Sequence, residues 1–355
     1  MKKHNFGAGP CILPQEVYTK ASQAILDFNN SGLSILEISH RSDAFVAVME
    51  NARSLALELL GLENKGYQAL FLQGGASFQF VMVAYNLLQN KAGYLNTGRW
   101  AANAIKEARN FGEVVELGSS ADKNYNYIPE VKSIDESLDY IHYTSNNTIA
   151  GTQMQAFPRG KAPLVVDMSS DIYSRDIDYS QFDLIYAGAQ KNIGPAGATL
   201  VIIKEEVLGK VSRTIPSMMD YQVLIEKESM FNTPPVFSVY NSMLNLEWLK
   251  NQGGVPAIAK LNKAKADLLY AEIDRNPLFE ANVSNKKERS VMNVAFQLKN
   301  KELQNKFTAL CQDAGVHGIK GHRSVGGYRA SLYNALPLSS VEVLVAVMRE
   351  LEKTS

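Results

Sequence analysis

The sequence has little cysteine, and its two cysteines are poorly placed for cross-linking or metal binding. Cys11 and Cys311 lie 300 residues apart and show no metal-ligand spacing. We therefore expect no metal site and a reducing compartment, the cytoplasm, in which thiols stay free.

The sequence also lacks net charge and long apolar runs. Lysine and arginine together number 36, as do aspartate and glutamate, so electrostatics gives no reason to expect a nucleic acid or an anionic membrane as a partner. No segment reaches the roughly 20 consecutive apolar residues of a membrane span, and the N-terminal segment has no apolar stretch typical of a signal peptide. Function must therefore reside in local motifs.

What the sequence does contain is an alternation of helix and strand patterns. Apolar residues recur at helical spacing from Phe45 to Leu59, with Ser42 as a candidate N-cap and Gly61 at the C-terminal stop. Next come a predicted strand, a turn and a helix, in the segments YQALFLQ, GGAS and FQFVMVAYNLLQN. Three nearly continuous apolar runs are typical of strands buried on both faces of a sheet: APLVVD, FDLIYAG and ATLVIIK. These patterns predict an α/β fold with a mostly parallel or mixed central sheet.

The length of 355 residues predicts two domains, because one apolar core seldom grows this large. The pair Gly253-Gly254 ends one predicted helix, and Pro256 opens another. We place a large domain at residues 15–254 and a small domain at residues 1–14 and 255–355.

Two strand ends carry candidate catalytic groups. Asp167 ends one apolar run, and Lys191 follows the next, among the small residues of AGAQKNIGPAG. Ligands of open α/β sheets bind beyond the carboxyl ends of strands, where an amine and an acid suit pyridoxal phosphate. Trp100 in NTGRW is a candidate to stack on the flat ring, although a core tryptophan is commoner. A tight turn, a buried ion pair or chance placement would explain the same pattern.

Residues 73–77, QGGAS, lie between a predicted strand and a predicted helix. Glycines let the backbone approach an anion, and the helix N-terminus favours a phosphate there. The spacing matches neither a nucleotide P-loop nor a dinucleotide fingerprint, and a plain strand-to-helix turn remains the alternative.

Two His-Arg dipeptides, from opposite ends of the chain, are candidates for binding a phosphate. His40-Arg41 and His322-Arg323 offer planar guanidinium groups and imidazole donors, and Arg329 remains for a carboxylate. Solvated loops or ordinary salt bridges would explain each dipeptide taken singly.

With these residues the sequence resembles the phosphoserine aminotransferase family, which belongs to the fold-type I, class-V pyridoxal-phosphate aminotransferases. The resemblance covers essentially the whole chain, through the segments NFGAGP, SHRS, GGAS, NTGRW, HYTSNNTIAGTQ, DMSSDI, YAGAQKNIGPAG, MFNTPP and GHRSVGGYRASLYNA. It implies a large domain with a mostly parallel central sheet flanked by helices, and a smaller α+β C-terminal domain.

The resemblance also implies a reaction. Transamination between L-glutamate and 3-phosphohydroxypyruvate would give O-phospho-L-serine and 2-oxoglutarate in serine biosynthesis, and the family also accepts 4-phosphohydroxy-L-threonine of vitamin B6 biosynthesis. Two alternatives remain open: another fold-type I enzyme, such as an alanine–glyoxylate transaminase or a cysteine desulfurase, and a non-catalytic dimer that keeps the fold. Neither cysteine lies where a desulfurase would need it.

Residue by residue, the resemblance implies that Lys191 forms the Schiff base with pyridoxal phosphate and that Asp167 contacts the pyridine nitrogen. The implied cofactor-binding residues are Ala76, Ser77, Trp100, Thr148, Asp167, Gln190, Lys191, Asn232 and Thr233. Asn232 and Thr233 would reach the cofactor phosphate of the other subunit, which implies an obligate homodimer with shared active sites.

For the substrate, the resemblance implies that His40, Arg41, His322 and Arg323 bind the phosphate and that Arg329 binds the α-carboxylate. One position departs from part of the family. Some members carry arginine where this chain has Ser77, so the affinity for phosphate stays open here.

Overall fold

The structure, a computed structural model, describes residues 3–355; Met1 and Lys2, which the predicted small domain includes, lie outside this part. Within it the chain forms twelve β-strands and nine α-helices. The strands are β1 His4–Asn5, β2 Tyr67–Leu72, β3 Lys91–Asn96, β4 Glu113–Ser119, β5 Ile141–Thr144, β6 Leu164–Asp167, β7 Leu184–Gly188, β8 Thr199–Lys204, β9 Phe279–Ala281, β10 Asn293–Leu298, β11 Val316–His317 and β12 Tyr328–Ser331. The helices are α1 Gln15–Leu26, α2 Asp43–Glu58, α3 Gly75–Leu87, α4 Arg99–Ala108, α5 Tyr221–Glu226, α6 Val236–Asn251, α7 Gly254–Arg275, α8 Gln304–Asp313 and α9 Leu338–Thr354. None of these helices is long and apolar enough to pass through a bilayer.

A seven-stranded sheet forms the centre of the fold, in the order β2-β8-β7-β6-β5-β3-β4. The five consecutive strands β7, β6, β5, β3 and β4 are parallel to one another. In contrast, β8 is antiparallel to both of its neighbours, β7 and β2. The three predicted apolar runs form β6, β7 and β8. Alternate residues of β7 enter separate cores, Ile185 and Ala187 on one face and Leu184 and Tyr186 on the other, as expected for a sheet covered on both faces.

Two local predictions need correction. Ser42 stands at the N-cap position of α2, but its hydroxyl donates to the Ser39 carbonyl oxygen at 2.7 Å and caps no helical amide. The segment GGAS is not wholly a turn, because α3 already begins at Gly75. Gly74, just before the helix, has φ +91°, and a Cβ atom there would lie 2.6 Å from the Cβ of Phe78.

The C-terminal part contains its own antiparallel sheet, β12-β10-β9, and β1 pairs in parallel with β11. A third apolar core joins Phe6 to side chains between residues 266 and 351. Gly253 is the N-cap of α7, which begins at Gly254. The domain boundary at residues 254 and 255 stays a prediction.

Candidate active site

A cavity of about 160 Å³ lies at the carboxyl ends of β5, β6 and β7, between the N-termini of α3 and α4. Thr144 and Asp167, the last residues of β5 and β6, are register partners in the sheet, so their side chains reach the same edge. The cavity brings together seven of the residues predicted for the site: Ala76, Ser77, Trp100, Thr148, Asp167, Gln190 and Lys191.

Lys191 follows the end of β7 and points its amine at Thr148. Its Nζ lies 3.2 Å from the Thr148 hydroxyl oxygen. Burial lowers the pKa of Lys191; the negative charge of Asp167 opposes this effect, and the positive charge of Arg329 adds to it. The amine is therefore neutral more often than that of an exposed lysine, as a nucleophile or a base requires.

Asp167 is a buried carboxylate in the wall of the cavity. Its Oδ1 accepts a hydrogen bond from the Ser169 amide at 2.8 Å. Burial raises the pKa of Asp167, while the hydrogen bonds from Ser169 and the charge of Lys191 lower it. Beside it, the hydroxyl of Thr144 is buried and has no hydrogen-bond partner within residues 3–355. A bound polar group would satisfy both side chains.

The start of α3 forms the anion-binding end of the cavity. No side chain caps this helix, so the first amides, at Gly75, Ala76 and Ser77, have no partner within the helix. Such amides, together with the helix dipole, favour a phosphate. Trp100 also lines the cavity and keeps 36% of its surface exposed, which leaves its face available for stacking on a flat ligand.

Positive charge accumulates beside the cavity. Arg329 on β12 donates from Nη1 to the Thr148 carbonyl oxygen at 3.2 Å, and its buried Nε has no partner in the described part of the chain. Burial lowers the pKa of His322, and the charges of Arg329, Arg99 and Arg323 lower it further. Sequence reasoning missed Arg99.

Seven predicted site residues do not line this cavity in a single protomer: His40, Arg41, Asn232, Thr233, His322, Arg323 and Arg329. The Nε2 atom of His40 is buried and has no hydrogen-bond partner among residues 3–355. Asn232 lines a separate cavity of about 40 Å³, and the Thr233 carbonyl oxygen accepts a hydrogen bond from Gln73 at 2.6 Å.

Sequence reasoning also missed part of the cavity wall. Asn146, Ser169 and Ser170 line it together with Thr144. Thr144 ends β5 and the other three follow β5 or β6 at the sheet edge that holds Asp167, so applying the strand-end rule to every strand would have found them.

The N-terminal segment forms hydrogen bonds with the backbone of the loop that carries Lys191. The Cys11 amide donates to the Gln190 carbonyl oxygen at 3.1 Å, and the Cys11 thiol donates to the Lys191 carbonyl oxygen. Burial raises the pKa of Cys11 to about 12, so the thiol stays protonated and acts as a donor.

Comparisons with known proteins agree with this geometry. The family model "Aminotransferase class-V" matches residues 4–344. The chain belongs to the class-V aminotransferase family.

A phosphoserine aminotransferase of Flavobacterium psychrophilum is 64% identical over 354 residues, 99% of both chains. A solved phosphoserine aminotransferase from Bacillus circulans subsp. alkalophilus has a TM-score of 0.95 at 42% identity and covers 99% of each chain. A solved PLP-bound phosphoserine aminotransferase from Trichomonas vaginalis has a TM-score of 0.92 at 34% identity, over 98% of this chain and 100% of the other. The class-V aminotransferase family and the α/β fold predicted from the motifs are thereby confirmed.

Proposed function

We propose that this chain is a pyridoxal-phosphate-dependent phosphoserine aminotransferase. It transfers an amino group between L-glutamate and 3-phosphohydroxypyruvate, giving O-phospho-L-serine and 2-oxoglutarate. The observation that carries the proposal is a single cavity that joins Lys191, Asp167 and the N-terminus of α3 and lies beside a cluster of positive charges. The similarity to phosphoserine aminotransferases along nearly the whole chain supports the same reaction.

The residues of the cavity fit pyridoxal phosphate. The amides of Ala76 and Ser77 at the N-terminus of α3 would bind its phosphate, Asp167 its ring nitrogen and Lys191 its carbonyl carbon. Trp100, Thr148 and Gln190 would complete the contacts from the same chain. When bound, pyridoxal phosphate supplies the carbon that receives the amino group and a ring that withdraws electrons.

Lys191 is the group placed to move the α-proton of the amino acid. Its lowered pKa makes the neutral amine available to take the proton, and the Thr148 hydroxyl at 3.2 Å directs the Nζ atom. The Asp167 carboxylate would contact the ring nitrogen and would keep a proton there through a charge-assisted hydrogen bond. Arg329 binds the α-carboxylate next to Thr148 and thereby orients the α-carbon.

The distal acidic group of the substrate sets the specificity. Glutamate carries a carboxylate where phosphoserine carries a phosphate, so one cationic cluster can bind both. His322 and Arg323 belong to this cluster, and we assign His40 and Arg41 to the same group. Because the cluster recognises a phosphate, we extend the proposal to 4-phosphohydroxy-L-threonine of vitamin B6 biosynthesis.

We assign the active form to a homodimer in the cytoplasm. Asn232 and Thr233 lie outside the cavity of their own protomer, which supports contact with the cofactor phosphate of the other subunit. Exposed apolar side chains occur on the same segment and nearby, among them Phe231, Phe78 and Met218, as expected of a surface covered by a partner. Both cysteines are free, which suits a reducing compartment.

Product analysis tests the reaction. Purified protein with pyridoxal phosphate, L-glutamate and 3-phosphohydroxypyruvate should form phosphoserine, followed by ³¹P NMR, and 2-oxoglutarate in equal amount. With 2-oxoglutarate as acceptor, 4-phosphohydroxy-L-threonine should also donate its amino group. Turnover of L-alanine with glyoxylate, without turnover of phosphorylated substrates, would instead support the alanine–glyoxylate alternative. No turnover of any amino donor despite bound cofactor would support a non-catalytic dimer.

A further inference from the structure

The start of α4 is fixed against the wall of the cavity. The Asn147 side-chain amide donates to the Thr97 carbonyl oxygen at 2.7 Å. Gly98 packs so closely on Asn147 that a Cβ atom would lie 2.5 Å from the Asn147 Nδ2. Thr148, the residue after Asn147, contacts Lys191 and Arg329. Arg99, the residue after Gly98, begins α4 immediately before Trp100, which lines the cavity. Arg99 is therefore held at the edge of the site by a fixed backbone.

The side chain of Arg99 has no acidic partner in the described part of the chain. Arg109, which follows the same helix, pairs with Glu116 at 2.8 Å, whereas Arg99 is exposed and forms no ion pair among residues 3–355. Arg323 and Arg329 likewise form no ion pair there. The charges of these three guanidinium groups, none of them paired with a carboxylate in the described part of the chain, all act on one imidazole, that of His322. Their mutual repulsion would be relieved by an anion that carries more than one charge.

Resting on the proposed function, we propose that Arg99 binds the distal anionic group of the substrate and favours the doubly charged phosphate of the phosphorylated substrate over the single charge of the glutamate carboxylate. The guanidinium group offers several donors to phosphate oxygens. Its charge acts on both substrates, but it attracts the dianion about twice as strongly as the monoanion. Arg99 is thus a specificity residue beside the predicted phosphate-binding cluster, and it supplies positive charge in a site where Ser77 brings none.

The test compares three variants of the full-length protein loaded with pyridoxal phosphate: Arg99→Ala, Arg99→Lys and, as the matched control, Arg109→Ala. In Arg99→Ala the KM for 3-phosphohydroxypyruvate should rise about two- to fivefold, the range for an exposed ion pair, with a smaller rise for L-glutamate. The kcat should stay near the unaltered value. Arg99→Lys should recover part of the affinity, and Arg109→Ala should match the unaltered protein. The effect should shrink with added salt.

A second measurement checks the position of the charge. In an NMR titration, the pKa of the His322 imidazole should rise in Arg99→Ala and stay unchanged in Arg109→Ala. Arg99→Ala kinetics equal to those of Arg109→Ala, or equal KM increases for both substrates, would overturn the inference while leaving the proposed reaction in place. If the unaltered protein did not turn over the phosphorylated substrate, the proposed function itself would fall, and the inference with it.

Discussion

Small residues around Lys191 allow its loop to pack closely. Gly188 and Gly194 approach other side chains so closely that a Cβ atom would lie 2.7 Å from Gln190 Oε1 and 2.6 Å from Ser242 Oγ, respectively. The loop is tightly packed at these glycines, and the Lys191 amine points at Thr148 in the cavity that Asp167 also lines. A tight turn and a pocket were alternative explanations of the sequence pattern, and the structure contains both.

Lys191→Ala should lower the rate of transamination by at least about 10²- to 10⁴-fold, because it removes the proton-transfer group and the covalent attachment point. Steady-state turnover of L-glutamate with 3-phosphohydroxypyruvate measures the loss. Lys65→Ala, at an exposed lysine outside the cavity, is the control and should be unaffected. A Lys191→Ala rate within tenfold of the control would remove the lysine from the mechanism.

The lowered pKa of Lys191 predicts how the apoprotein takes up its cofactor. Only the neutral amine attacks an aldehyde, so the uptake rate should rise with pH, with a midpoint below the value of about 10.4 for an exposed lysine. Stopped-flow absorbance after mixing apoprotein with pyridoxal phosphate measures this rate. Lys191→Ala should show no such phase, and a midpoint at the exposed-lysine value would contradict the environment described for the amine.

At the scale of elements, the sequence predicted four strands of the central sheet, β2, β6, β7 and β8, and the mostly parallel or mixed character of that sheet. The apolar runs of β6, β7 and β8 stand out because both faces of the sheet are covered. The antiparallel direction of β8 follows from its connection to β7, residues 189–198, which has no room for a crossover helix. Contacts such as that between Arg329 and the Thr148 carbonyl oxygen join residues 181 positions apart, and no local pattern predicts them.

His142, in strand β5 of the central sheet, should make the fold sensitive to acid. Its Nε2 bonds to the Tyr186 hydroxyl at 2.9 Å, and burial lowers its pKa from 6.5 to about 3. Between these values the unfolded chain binds one more proton, so the free energy of unfolding should fall by about 1.4 kcal/mol per pH unit as the pH drops below 6.5.

The variant His142→Gln keeps a polar side chain but removes this titration. Denaturant unfolding at pH 7 and pH 5, at fixed protein concentration, should show that the unaltered protein loses about 2 kcal/mol more than the variant. Equal losses would mean that His142 is protonated in the folded protein.

At the scale of the whole molecule, the proposed homodimer with shared sites predicts complementation between inactive variants. Lys191→Ala disables the site of its own chain, whereas a double change, Asn232→Ala with Thr233→Ala, should disable the site of the other chain. A mixed dimer then contains one intact site. Random mixing of equal amounts should restore about a quarter of the unaltered activity, since half of the dimers are mixed and each has one intact site of two.

The matched control mixes Lys191→Ala with Asp167→Asn. Both residues line the cavity within one chain, so no combination of these subunits forms an intact site and activity should stay low. Activity that remains equally low in both mixtures after subunit exchange would contradict shared sites.

The most direct test of the central claim is the near-visible absorption spectrum of the purified protein with pyridoxal phosphate, titrated separately with L-phosphoserine and L-serine. The account predicts an absorption band of lysine-bound cofactor that disappears with L-phosphoserine, as the cofactor takes up the amino group, and persists at equal concentrations of L-serine. Equal conversion by both amino acids would contradict phosphate recognition by the cationic cluster. The absence of a band, even with added pyridoxal phosphate, would contradict the assignment of Lys191 and Asp167 to this cofactor.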